Sequence, residues 1–342
     1  MSIRSRPRVV VIGAGYISWL YHLRSVQHLA ARGRCTFAAI CDLDATLAAR
    51  AARTFAAQRW YTDVDTMLSA EKPDGVVVIT PIAATARVAG AVLRRGYPVL
   101  MEKPPGGSSR ECRQLIRAAA STRAPNCVSF NRRFSPVLAQ GRDAVRAYGP
   151  VKGASARMFR RGRPDPLFFL QTGIHSLDAL RHLGGEIAKV AMDRRVMGTD
   201  QRPAYALIIT YENGAMGTLE VRPEAGLDLE RYELFGADSV AIMRSGMGHL
   251  IDRPGSCDVY RDGKAVRLPD PLAPFRRMDA KLHEAASGGF YGAQAHFVDA
   301  LRTGGRLSPT VEESLRSVEI AEAVQAGRDW TARRARTRRG PR

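Results

Sequence analysis

Apolar and polar residues along this chain follow two different rhythms. From Arg8 to Asn131, short runs of Val, Ile and Ala alternate with amphipathic stretches, which predicts strands at 9–12, 36–41, 75–79, 99–101 and 126–130. Continuous apolar runs of this kind belong to strands covered on both faces. The stretches between them, 16–31, 45–57, 64–69, 83–95 and 108–120, are long enough for helical crossovers linking parallel strands. The expected architecture is a doubly wound parallel sheet of the Rossmann type.

The rhythm changes after Tyr148-Gly149-Pro150. One helical segment, 168–183, precedes alternating segments at 189–197, 205–211, 215–221, 229–235, 240–243 and 257–260, with no helical pattern between them. Period-two patterning without crossovers predicts an α+β unit with a large, open, mostly antiparallel sheet. Glu212-Asn213-Gly214 is a hairpin turn signal, and helices at 294–302 and 311–326 close the pattern. The expected division is a Rossmann domain at 1–130, an α+β domain at 131–327 and a basic, disordered tail at 328–342.

Composition narrows the partners. The 342 residues exceed the roughly 100 to 200 of a typical single domain. A net charge of +19 raises the question of nucleic acid, but the cations are overwhelmingly arginines spread over both halves, against six lysines, and only the tail is a cluster. Nucleic-acid binding is therefore not expected. Five cysteines form no CxxC pair, which fits a reduced compartment, and no apolar run reaches the ~20 residues of a membrane span. A cytoplasmic protein with no membrane contact is expected.

The first strand runs directly into Gly13-Ala14-Gly15-Tyr16-Ile17 and then a helix. Gly13 suits a tight turn and Gly15 a close approach of backbone to a pyrophosphate, which the helix N-terminus with Tyr16 and Ile17 would face. Ser18 takes the place of the third small glycine. Asp42, at the end of the second strand, suits the two ribose hydroxyls of NAD, while Arg50 and Arg53 in the next helix leave NADP open. Lys103 ends a buried strand at the sheet edge where doubly wound folds bind ligands. An ammonium beside an oxidised nicotinamide should lose affinity for its proton and so exchange it with a substrate hydroxyl.

Four segments, Ile79-Thr80-Pro81, Gly96-Tyr97-Pro98-Val99-Leu100-Met101-Glu102-Lys103-Pro104, Phe130-Asn131-Arg132-Arg133-Phe134 and Gly173-Ile174-His175-Ser176-Leu177-Asp178, resemble the Gfo/Idh/MocA oxidoreductases over about residues 8 to 325. The resemblance implies NAD(P)-dependent hydride transfer to or from a secondary alcohol or ketone of a sugar, amino-sugar, sugar nucleotide or cyclitol. It implies that Thr80, Pro81, Glu102 and Lys103 help seat the cofactor, that Lys103 and His175 carry the acid/base chemistry, and that the second domain pairs copies into a homodimer or homotetramer. Asp178, three residues beyond His175 on a helix, is expected to orient or charge the imidazole. Asn131, Arg133 and Gln171 are expected near the substrate. Gln171 stands where many relatives carry an aspartate, so either Asp178 supports His175 or Lys103 works alone. Ile82 and Thr85 stand where asparagine and histidine are frequent. No metal-ligand spacing is present. Two alternatives remain open: a glycoside hydrolase working through transient oxidation, and a non-catalytic dinucleotide sensor.

Overall fold

The computed structural model describes residues 5–163, 165–196 and 202–332. Its first half is built from β1 (Arg8–Ile12), α1 (Leu23–Ala31), β2 (Thr36–Cys41), α2 (Ala45–Phe55), β3 (Arg59–Tyr61), α3 (Val64–Glu71), β4 (Gly75–Val78), α4 (Ile82–Arg94), β5 (Val99–Met101), α5 (Ser109–Thr122) and β6 (Asn126–Val128). The strands pair in the order β3-β2-β1-β4-β5-β6, all parallel. This is the expected doubly wound sheet, and its order reverses between β1 and β4, where such folds open a ligand crevice. β3 lies at the edge with exposed Arg59 and Trp60, so it carries no buried apolar run to announce it.

A 3-10 turn (Asn131–Phe134) leads into α6 (Pro136–Tyr148) and β7 (Val151–Phe159). Then follow α7 (Ile174–Gly184), β8 (Ile187–Arg195), β9 (Ala204–Tyr211), β10 (Met216–Arg222), β11 (Leu229–Gly236), β12 (Ser239–Ser245), β13 (Gly255–Arg261) and β14 (Lys264–Val266). The second sheet runs β14-β13-β12-β11-β7-β10-β9-β8 and ends on β15 (Trp330–Thr331). Every pairing is antiparallel except β7 with β10. The Asn213-Gly214 hairpin forms as expected, with Gly214 at φ 81° and the Asn213 side chain accepting from the Ala215 N–H.

β7 is the central strand and escapes the alternation test because small residues fill it. Adding a side chain at Gly153 would bring Cβ within 2.2 Å of the Met216 carbonyl oxygen. Strands approach closely there only because glycine has no Cβ. α8 (Ala280–Ser287), α9 (Phe290–Thr303) and α10 (Val311–Gln325) complete the fold.

Two features correct the expected layout. α9 belongs in sequence to the second half, yet Phe297, Val298 and Leu301 are buried in one cluster with Val9, Val11 and Val77 of the parallel sheet. The basic tail does not begin at 328: Trp330 and Thr331 pair with Val190 and Lys189 as an edge strand. Residues 333–342 lie outside the described residues. Among the described residues no helix is long and apolar enough to cross a membrane.

Candidate active site

Beyond the ends of the parallel strands, Lys103 meets the turn before α7, and Arg132 of the 3-10 turn meets His175 of α7 and Glu230 of β11. On the nucleotide side, Gly13 has φ 98°, and a Cβ there would lie 2.0 Å from the Ile79 carbonyl oxygen. No side chain fits that turn. A Cβ at Gly15, by contrast, would meet nothing within 4 Å, so the open approach is on the outer side of the loop. Asp42 accepts the Ala14 N–H at 2.8 Å and the Asp44 N–H at 3.0 Å, which locks the carboxylate of β2 against the glycine turn. Each oxygen keeps a lone pair for a further donor. Tyr16 and Ile17 are exposed beside this turn, and Arg50 is stacked over the Trp19 ring, 4.9 Å from its centroid. Thr80 lies just beyond β4 with its hydroxyl 3.1 Å from that of Thr85, and Pro81 caps the start of α4. Open space over Gly15, a helix start and the Asp42 carboxylate just beyond β2 fit a dinucleotide.

The first helix of the sheet enters through a π turn, Ser18–His22, which carries His22 inward. π turns occur frequently at functional sites because they re-aim a side chain. The buried His22 ring joins Glu102 Oε1 at 2.9 Å through Nε2 and Gln294 Nε2 at 2.9 Å through Nδ1. Burial alone would raise the Glu102 pKa, but His22, Lys103 and the Lys103 N–H outweigh it and keep this carboxyl ionised. Glu102 Oε2 accepts that N–H at 3.0 Å, so the network controls the backbone at Lys103.

Lys103 reaches across the crevice: its Nζ donates to the Gln171 main-chain oxygen at 2.8 Å. Gln171 lies in a second π turn, Phe169–Gly173, one helical turn before His175. Burial pushes the Lys103 pKa down, Glu102 works against it, and Arg132, Arg163 and Arg160 add to it; the result is about 8. His175 is buried, and burial first, then the charges of Arg132, Lys103 and Arg160, hold its pKa well below the usual imidazole range. The ring is neutral at pH 7.

The expected partner of His175 is elsewhere. The Asp178 carboxylate is taken by Arg133, with Nε at 2.7 Å and Nη2 at 2.8 Å, and by the Ser317 hydroxyl at 2.8 Å. Asp178 and Arg133 thereby form a buried clamp between α7, α10 and the 3-10 turn, and the carboxylate is engaged by Arg133 and Ser317 rather than by the imidazole. Asn131 is likewise fully buried, donating to the Gly288 carbonyl at 2.6 Å. The residue that does meet His175 is Arg132, whose Nη1 lies 3.3 Å from Nδ1. Arg132 is itself pinned on Glu230, with Nε at 3.0 Å and Nη2 at 2.5 Å, and on the Asn131 side-chain oxygen at 3.0 Å. Glu230 also pairs with Arg160 and accepts from Tyr232 at 3.2 Å. Its burial would raise the carboxyl pKa, but the two guanidiniums drive it far below the usual value. His22, Gln294, Arg132, Arg160 and Glu230 were not expected from sequence. Glu230 carried a signal, since it shares the inward register of Tyr232 and Leu234 on β11, and Arg132 stood within the 130–134 segment without a role of its own.

A doubly wound sheet with a glycine turn, beside a lysine from the same half of the chain and a histidine from the other half, is the arrangement of an NAD-binding oxidoreductase. The profile of the oxidoreductase family's NAD-binding Rossmann fold matches residues 7–130, and that of its C-terminal alpha/beta domain matches residues 160–328. The chain belongs to the Gfo/Idh/MocA family, and it is an enzyme of that family using NAD. A D-apiose dehydrogenase of Paraburkholderia graminis is 24% identical over 339 residues, covering 93% of this chain and 87% of the relative. Inositol 2-dehydrogenase 2 of Saccharopolyspora erythraea is 29% identical over 242 residues, 66% of this chain and 70% of that one. The solved structure of a levoglucosan dehydrogenase with NADH and L-sorbose superposes with a TM-score of 0.80 at 18% identity, covering 97% of this chain and all of the other.

Proposed function

We propose that this enzyme interconverts a secondary alcohol and a ketone on a sugar or cyclitol, with Lys103 carrying the proton. One observation carries the reading: the Lys103 ammonium, held at the C-terminal edge of the parallel sheet, is fixed 2.8 Å from the main chain of the segment that bears His175. Gly13, Gly15, Tyr16, Ile17, Asp42, Thr80, Pro81 and Glu102 would hold NAD. Bound there, the nicotinamide supplies the acceptor or donor of the hydride. Lys103 binds the carbinol oxygen and holds or releases its proton at Nζ, and His175 hydrogen-bonds the same oxygen. Gln171 offers its side chain at the rim. Relatives that act on apiose and inositol support a polyol.

The pH dependence follows from the lowered lysine. Below a pKa of about 8, Nζ holds its proton and favours carbonyl reduction; above it, the free amine favours alcohol oxidation. NADH absorbance with a panel of polyols is expected to show oxidation rising through pH 8 and reduction falling across the same interval. A flat profile, or a panel that yields product without net NADH, would point instead to the transient-oxidation hydrolase.

The outer face of the nine-stranded sheet leaves Ile208 60% and Met216 66% exposed, with Phe235 beside them in the same surface. Apolar exposure on an open sheet favours a second copy. We propose a homo-oligomer through this face, and sedimentation is expected to give at least a dimer; a monomer at micromolar concentration would contradict it. The five free cysteines, four of them buried, agree with a reduced, cytoplasmic setting.

A further inference from the structure

The contact between Arg132 and His175 decides what the histidine can do. A guanidinium has five donors and no acceptor, and it keeps its charge throughout the working pH range. A ring nitrogen facing it can only accept. We propose that Arg132 is a positioning residue that fixes His175 with its proton on Nε2, so that the imidazole serves the substrate oxygen as a hydrogen-bond donor and not as a base. The inference rests on reading this crevice as the hydride-transfer site.

Arg132 is not free to turn away. Its Nε and Nη2 are held by Glu230, and the same Nη1 that faces His175 also donates to the Asn131 side chain, which is anchored on Gly288. Placing a proton on Nδ1 would set two donors against each other at 3.3 Å. The charged groups around the ring oppose an imidazolium as well: Lys103 approaches from the end of β5, Arg160 from the end of β7 and Arg132 from the 3-10 turn. Glu230 on β11, the carboxylate that holds Arg132, is already shared by Arg132, Arg160 and the Tyr232 hydroxyl, which also meets Ser176 at 3.0 Å. The position four residues before His175 is the neutral Gln171, so that position brings no carboxylate to the ring.

Two donors then converge on one oxygen, Lys103 Nζ and His175 Nε2. Such a pair stabilises the alkoxide that precedes hydride loss. In the oxidation direction the hydroxyl proton passes to the neutral Nζ of Lys103, and His175 keeps its own proton throughout.

Nitrogen-15 NMR of histidine-labelled protein with NAD added tests this without any substrate, His175→Gln identifying the signal. The expected spectrum has a protonated Nε2 and a bare Nδ1 that do not change between pH 6 and 9. Arg132→Lys is expected to keep that state, whereas Arg132→Met releases it, giving a ring that titrates or redistributes its proton. A wild-type ring protonated on Nδ1, or one that gains charge between pH 6 and 8, would overturn the proposal, as would an unchanged signal in folded Arg132→Met. If that variant does not fold, the wild-type spectrum decides. Lack of turnover on polyols would sink the proposed function and leave the tautomer result standing.

Discussion

Lys103→Met is expected to lower turnover by roughly 100- to 10,000-fold, the loss typical of removing a positioned proton carrier, while the protein still folds and binds NAD. Methionine keeps the apolar stem and deletes Nζ, so the contact with the Gln171 oxygen and the proton site disappear together. Folding should tolerate the change, because the wild-type ammonium already pays for its burial in a pKa lowered to about 8. Glu102 retains His22 as a partner in the variant, so the nucleotide side of the crevice stays ordered. Initial rates and NADH fluorescence titration measure the two halves of this expectation. A variant with the parental rate would remove Lys103 from the mechanism, and one that no longer binds NAD would make it a structural residue.

The largest expected effect on stability comes from Glu230→Gln. The wild-type carboxylate is fully buried and shared by Arg132 and Arg160, which are almost as buried. Removing one partner of a buried ion pair costs about 3–5 kcal/mol, because it leaves charge uncompensated in a low-dielectric interior. Here two guanidiniums lose their counter-charge at once. Urea unfolding is expected to show a loss of that order, together with a sharp fall in turnover as Arg132 slackens against His175. An unfolding midpoint within experimental error of wild type would mean that the triad contributes little to the fold.

The parallel sheet was legible because its strands are buried on both faces and so read as unbroken apolar runs between amphipathic helices. The dinucleotide turn was legible because its geometry demands glycine: at Gly13 any side chain collides with the Ile79 carbonyl. β7 was hidden by its own tight packing, since Gly153, Ala154 and Ala156 bring neighbouring backbones close without showing the alternation of large apolar residues. α6 was hidden in the same way, with a glycine at 141 pressed against Met243 where a larger apolar residue would have marked the face.

In the site, the identities of Lys103 and His175 stood out, but their partners did not. Arg132 and Arg133 are adjacent and chemically alike, and the 3-10 turn sends one to Glu230 and His175 and the other to Asp178. Spacing along a helix suggested Asp178 for His175. Helical neighbours compete with partners from other elements, and the bidentate fork of Arg133 won that carboxylate. Contacts such as Glu230 to Arg132 span 98 positions of sequence and leave no local trace.

The position of α9 has a consequence for how the enzyme can be taken apart. Because Phe297, Val298 and Leu301 form a wall of the compartment that contains Val9, Val11 and Val77, a fragment ending at residue 130 would expose an apolar flank that the intact chain never shows to water. The nucleotide-binding half is thus a layer completed only after the rest of the polypeptide has returned to it, and swapping that half between relatives would require carrying this late helix along.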